Sequence, residues 1–196
     1  MSTHKREICN SFRTLTQMMR DRGTPCPDWE QLSGDDVVAI QSGRTVFYVD
    51  DATRACRVIY DLSFRFRLPN VKKFLDATGS GMSTFLLVVA NPTPAAAKSV
   101  RELQDIQLEM FDLKSLQFNV SHHELVPHHE PIRDESEIED ILKRYSLKTR
   151  TQLPLIYSTD PMARYLALRP GQLVRITRRS PSAGVHVLYR CCAKVH

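Results

Sequence analysis

Phe85-Leu-Leu-Val-Val-Ala90, followed by Asn91-Pro-Thr-Pro94 and Ala95-Ala-Ala-Lys-Ser-Val-Arg-Glu-Leu103, is the stretch that decides the fold. Six consecutive apolar residues without alternation predict a central strand buried on both faces. The prolines end that strand, the alanine-rich run reads as a helix, and Ile106, Leu108 and Met110 alternate behind it as a second strand. Strand, helix and strand in that order form a βαβ unit, so the first half is α/β with at least one parallel strand pair and helices packed on its sheet. The same apolar run is far shorter than the roughly 20 residues that cross a bilayer, and no membrane span is expected.

Working outward toward the N-terminus, Ile8, Phe12, Leu15 and Met19 recur at spacings of four, three and four, which predicts one amphipathic helix stopped by Gly23. Thr24-Pro-Cys-Pro27 breaks the chain. Thr45–Val49 and Cys56–Tyr60 read as strands, with Asp50, Asp51 and Thr53 as turn residues between them. Asn70–Ala77 reads as a short helix ending at Gly79. A boundary falls near Asn119, giving domains 1–118 and 119–196.

In the second half, Asp134-Glu-Ser-Glu137 opens a helix whose Ile138, Ile141, Leu142 and Tyr145 share one face. Asp160-Pro161 is a helix start, an acceptor for free amides ahead of a proline that loses no hydrogen bond there, and the helix runs from Met162 to Leu168. Val174 and Ile176, then Val185, Val187 and Tyr189, flank Ser180–Gly184, so the chain ends in a β-hairpin with a five-residue connection. The C-terminal half is a small α+β module.

The 196 residues carry 27 Lys+Arg against 22 Asp+Glu, with 42% hydrophobic residues, the composition of a soluble globular protein. The charge is uneven: residues 1–118 hold 15 basic and 14 acidic side chains, residues 119–142 hold 1 and 7, and residues 143–196 hold 11 and 1. A +10 tract suits nucleic acid, an acidic protein partner, or an ordinary solvated basic face. Five cysteines, Cys9, Cys26, Cys56, Cys191 and Cys192, form neither a disulfide framework nor a CxxC, which suits a reducing compartment. The adjacent pair is expected to place one thiol in the core and one at the surface. The basic N-terminus lacks an apolar run behind it, so no secretory signal is expected.

Candidates for chemistry thin out when spacing is considered. His122-His-Glu-Leu-Val-Pro-His-His129 resembles a metal motif in composition, but His123 and His128 are five apart with Pro127 between them, whereas a helical zinc pair needs four and no proline. An extended linker strand, with Leu125 and Val126 anchored in the core, is the expected structure. Gly79-Ser-Gly81 closes a helix rather than opening one and reads as a C-cap instead of a phosphate loop. Asp28 with Asp112-Leu-Lys114 lacks the third carboxylate of a nuclease centre. No catalytic residue, metal site or cofactor is nominated.

Asn119–His129, Leu142-Lys-Arg-Tyr145, Gln152-Leu-Pro-Leu-Ile156, Asp160-Pro-Met-Ala-Arg-Tyr165, Gly171-Gln-Leu-Val-Arg-Ile176 and Arg179-Ser-Pro-Ser-Ala-Gly184 follow one another in order. Together they resemble the fifth subunit of eukaryotic nuclear RNA polymerases, and they are similar as well to its archaeal RNA polymerase counterpart. In the first half Phe12-Arg-Thr14, Met19-Arg-Asp-Arg-Gly23 and Pro92-Thr-Pro-Ala-Ala-Ala-Lys98 are similar to the same eukaryotic protein.

The resemblance implies a non-catalytic subunit of a DNA-directed RNA polymerase. It implies an N-terminal α/β jaw domain, with a nuclease-like core and a mixed sheet flanked by helices, beside downstream duplex DNA. It further implies a small α+β C-terminal assembly domain docked on the largest subunit. By the same analogy Thr93, Pro94 and Lys98 lie near DNA, touching phosphate without reading bases. Arg175, Arg178, Arg179 and Arg190 are candidates for subunit contact, and His123, Glu124 and Pro127 form the domain-linker motif. The implied location is the nucleus, or the nucleolus for a version dedicated to the ribosomal RNA polymerase. Leu155, where relatives usually carry a basic residue, a longer Lys148–Gln152 loop, and Pro170 and Pro181 suggest a divergent eukaryotic paralogue. The alternative is a free-standing basic nucleic-acid-binding protein, which would bind DNA tightly by itself with a steep salt dependence.

Overall fold

The computed structural model describes residues 3–24, 33–42, 44–51, 54–62, 69, 84–102, 108–180 and 184–194. The expected helix at 70–77, the Gly79–Gly81 cap, Asp28, Thr53 and Ile106 lie outside those residues. The chain divides into two compact units, Met1–Phe118 and Asn119–His196.

The first unit contains α1 (Thr3–Asp21), α2 (Gly34–Ser42), β1 (Arg44–Asp51), β2 (Arg54–Asp61), β3 (Thr84–Val89), α3 (Pro94–Glu102) and β4 (Leu108–Asp112). The sheet order is β1-β2-β3-β4, with β1 antiparallel to β2 and both other pairs parallel. Phe85 through Val89 are all buried, as an uninterrupted apolar strand requires. Phe85, Leu87 and Val89 pack with Ile59, Leu108, and Ala96 and Val100 of α3. Tyr60 and Val88 are register partners, and therefore share a face of the sheet, the one opposite to Ile59 and Leu87. There Ser11 of α1 donates from Oγ to the Ile8 carbonyl (2.8 Å) and accepts the Tyr60 hydroxyl at 3.1 Å. Helices thus cover both faces of the sheet.

Helix α1 ends where its sequence signal places the stop: Gly23 has φ +68°, and the Thr24 amide donates to the Met19 carbonyl at 3.0 Å. Just past α1, Arg22 makes a two-pronged ion pair with Glu109 of β4, at 3.0 and 2.8 Å. Two local expectations change. Asp50 and Asp51 belong to β1 rather than the turn, because Asp51 pairs with Arg54. Helix α2, absent from the sequence reading, is opened by Ser33 and Asp36, whose side chains each bond the other's backbone amide.

The second unit contains β5 (His128–Ile132), α4 (Glu135–Arg144), β6 (Leu155–Tyr157), α5 (Pro161–Tyr165), β7 (Leu173–Ser180) and β8 (Gly184–Ala193). Its sheet order is β5-β7-β8-β6, with only the β6–β8 pair parallel. Ile138 and Ile141 of α4 close over Ile132, Leu173, Cys191 and Leu153. On the opposite face Cys192 lies beside the Leu168 carbonyl (3.7 Å). Both cysteines are therefore buried, correcting the expected split, because β8 is an interior strand covered on both sides at this level. Burial pushes the pKa of each thiol up and keeps it protonated.

Asp160 caps α5 through the Met162 amide at 2.8 Å, but the helix stops at Tyr165 rather than Leu168. Ala167 turns left-handed (φ +52°) so that the Leu168 amide reaches the Ala163 carbonyl at 2.8 Å. The hairpin is tighter than expected, since Ser180 pairs with Gly184 and leaves three residues between the strands.

The two edge strands of this unit, β5 and β6, are blunted. Pro131 interrupts the donors of β5. The Leu155 and Tyr157 carbonyls of β6 accept from Arg190 Nη1 and the Asp160 amide, each at 2.9 Å.

Leu87→Ala, in the buried centre of β3, is expected to destabilise the first unit by about 2–5 kcal/mol. Denaturant unfolding of the full chain, followed by circular dichroism, measures it.

Candidate functional surfaces

The residues singled out by sequence sort into distinct surroundings. Asn91 adopts φ +49° as the chain leaves β3, and the turn delivers Thr93 to the start of α3. Thr93 is used as the cap: its carbonyl accepts from the Ala97 amide (3.0 Å) and its hydroxyl from the Ala96 amide (3.4 Å). Ala96 and Val100, four apart, point into the core, whereas Pro94 and Lys98, also four apart, share the exposed face. The structure therefore places Thr93 and Pro94 at the start of α3 and Lys98 one turn into it, on the same exposed face as Pro94.

The linker motif forms a turn where a strand was expected. Asn119 caps a short 3₁₀ turn at Val120–His122, and the Val126 amide bonds back to the His123 carbonyl at 2.9 Å. His123 accepts the Leu125 amide through Nδ1 at 3.2 Å, and Glu124 is exposed. Because the backbone reverses here, Leu125 points to solvent with 84% of its surface exposed and Val126 is only half-buried, which overturns their expected anchoring in the core. Asn119 instead ties this segment down by donating from Nδ2 to the buried Tyr165 hydroxyl at 2.9 Å. The Pro127 carbonyl accepts from His129 Nδ1 at 2.7 Å. No group of three His, Cys, Asp or Glu side chains suited to a metal ion occurs among the described residues. Asp112, the other acid of the nuclease comparison, caps the next turn by accepting the Lys114 amide at 3.1 Å.

The four arginines of the basic tract are not equivalent. Arg175 on β7 is only partly exposed; it pairs with Glu130 of β5 (2.9 Å) and Glu137 of α4, so its charge is neutralised inside the module. Sequence proximity gives no hint of this, because the partners lie 45 and 38 residues away. Arg190 donates to the Leu155 carbonyl. Arg178 and Arg179 are exposed on the outer part of β7 and make no ion pair among the described residues.

Two solution tests follow from these surroundings. Arg175→Met should lower stability by about 1 kcal/mol, as for a part-buried charge-assisted pair, whereas Arg178→Met should stay within about 0.5 kcal/mol; urea midpoints of the full-length variants decide. Burial is the main influence on His129 and pulls its pKa down; His128 and Arg190 add to this, and the Pro127 carbonyl and Asp160 oppose it. Since the folded state resists the proton, the stability associated with His129 is complete above its ordinary pKa of about 6.5 and is lost as pH falls through the lower folded value. His129→Gln should flatten that part of a stability–pH curve.

Comparison with known proteins agrees with this architecture. The family model described as "RNA polymerase Rpb5, C-terminal domain" matches residues 118–192. The protein named DNA-directed RNA polymerases I, II, and III subunit rpabc1 from Dictyostelium discoideum is 32% identical over 187 residues, covering 92% of this chain and 94% of its own length. RPABC1 of Caenorhabditis briggsae is 34% identical, covering 91% and 92%. The Caenorhabditis elegans protein of that name is 35% identical over 146 residues, covering 74% and 64%. Since the similarity runs through both compact units and not the C-terminal one alone, the chain belongs to the family of the fifth, RPABC1-type subunit of eukaryotic DNA-directed RNA polymerases.

Proposed function

We propose that this chain is a non-catalytic subunit of a nuclear DNA-directed RNA polymerase, assembled with the other subunits of that enzyme. The observation that carries the reading is near full-length similarity to a relative named as a subunit of polymerases I, II and III. The side-chain roles described above agree with it. Asp112 and Asn119 cap turns, and Thr93 and Asp160 cap helices.

Within that reading, the second unit is the assembly domain that docks on the largest subunit, and the first is a jaw element near downstream duplex DNA. At the jaw, Pro94 at the start of α3 and Lys98 one turn along it share an exposed helix face, which suits contact with phosphate without base readout. At the docking side, Arg178 and Arg179 are better candidates than Arg175 and Arg190, whose guanidinium groups are engaged within the module. The turn at His123, Glu124 and Pro127 acts as a structural linker. Whether the chain serves one polymerase or several decides between a nucleolar and a general nuclear location.

Affinity purification of the tagged full-length chain from its native cells, with mass spectrometry of the partners, tests the assignment. Recovery of a largest polymerase subunit is expected, and the number of different largest subunits reports whether it is shared. Recovery of none, with tight salt-sensitive DNA binding by the free chain, would instead establish the autonomous nucleic-acid binder. In polymerase assembled with Lys98→Glu, cross-linking of this subunit to downstream DNA should fall severalfold whatever the DNA sequence.

A further inference from the structure

The outer half of the β7–β8 hairpin differs from the rest of its sheet. The register pairs Arg175 with Tyr189, Thr177 with Val187 and Arg179 with Val185, so these six residues share one face. At the inner end of that face Cys191 is buried under α4, with Ile138 and Ile141 above it. Farther out the apolar row continues, but Val187 is 36% exposed and Val185 64%. Tyr145 extends the row sideways, its ring meeting that of Tyr189 edge-on at 5.9 Å. An apolar row on an exposed strand is an association hazard unless something covers it.

The charge beside this row is graded. Arg175, at the inner end, is neutralised by Glu130 and Glu137. Arg179, two rungs out, makes no ion pair among the described residues, and Arg178 is exposed on the opposite face of the same strand. The second unit holds 12 basic side chains against 8 acidic ones, the acidic ones concentrated in residues 119–142, while the outer hairpin carries the exposed Arg178 and Arg179, so the field at that outer end favours an approaching anion. A nucleic-acid backbone would satisfy the arginines but leave the valines against a polar surface. An acidic polypeptide carrying apolar side chains satisfies both.

We propose that the Val185–Val187–Tyr189 face of the hairpin, with Arg179 at its end, is the docking seat for an acidic segment of another polymerase subunit. The inference rests on the polymerase-subunit reading and names the surface and partner chemistry within it.

A photo-reactive residue in place of Val187, in full-length chain assembled into polymerase in its native cells, tests the seat directly. The expected cross-linked peptide comes from another polymerase subunit and carries more Asp and Glu than Lys and Arg. A basic or neutral peptide, a cross-link to nucleic acid, or one within the chain itself overturns the proposal. In a second arm, Val185→Asp combined with Val187→Asp, and separately Arg179→Glu, should each lower recovery of polymerase subunits about tenfold or more. Val38→Asp, at an exposed valine of α2 in the other unit, should leave recovery unchanged. Wild-type recovery by both hairpin variants overturns the seat and leaves the subunit assignment standing. Failure of the unmodified chain to recover any polymerase subunit overturns the assignment and the seat with it.

Discussion

Burial of one strand on both of its faces is the constraint from which the rest of each unit follows. In the first unit, Phe85 to Val89 have no solvent side, so the chain supplies helices for both: α3 covers Leu87 and its neighbours, and α1 covers the face of Tyr60 and Val88. The turn that launches α3 is thereby fixed, and with it the position of Thr93, Pro94 and Lys98. The second unit solves the same problem around Cys191 and Cys192. Their burial on opposite faces of β8 requires α4 above and the α5 region below. Where that double cover ends, along the outer hairpin, Val185 and Val187 are exposed.

Much of this was legible in the sequence because the controlling signals are local. An unbroken apolar run, the three-and-four spacing of Ile8 to Met19, and Asp160 before Pro161 each act over a few residues and survive into the structure. Ser33 and Asp36 carried a readable capping signal for α2, but the helix behind it is short and has only Val37 and Ile40 buried, too few apolar positions to set a period. Other features depend on what folds over them. Burial of both cysteines needs a helix on each side of β8, and an isolated pair of letters shows neither. Leu125 reads as a core residue by composition, yet a turn held by the His123 carbonyl and imidazole aims it outward.

The basic tract shows the same limit for function. Charge counting treats Arg175, Arg178, Arg179 and Arg190 alike, whereas the fold gives them different tasks. Two are held by groups from other strands and helices of the module, and two keep their charge at the surface. Net charge locates a region of interest, and only the intramolecular pairing shows which cations remain to act on something else. Family membership narrows the question further, from whether the chain has partners to which surface they touch.

The blunted edges of the C-terminal sheet bear on the life of the chain before assembly. A subunit that folds before it is assembled waits among other copies of itself. An open row of backbone donors and acceptors would let two waiting copies pair with each other irreversibly. With Pro131 in one edge strand and Arg190 and Asp160 occupying carbonyls of the other, β5 and β6 offer few such groups. Encounters between surplus copies at these two strands therefore rest on side chains, which are weaker and reversible contacts that dissolve and leave both copies competent for incorporation.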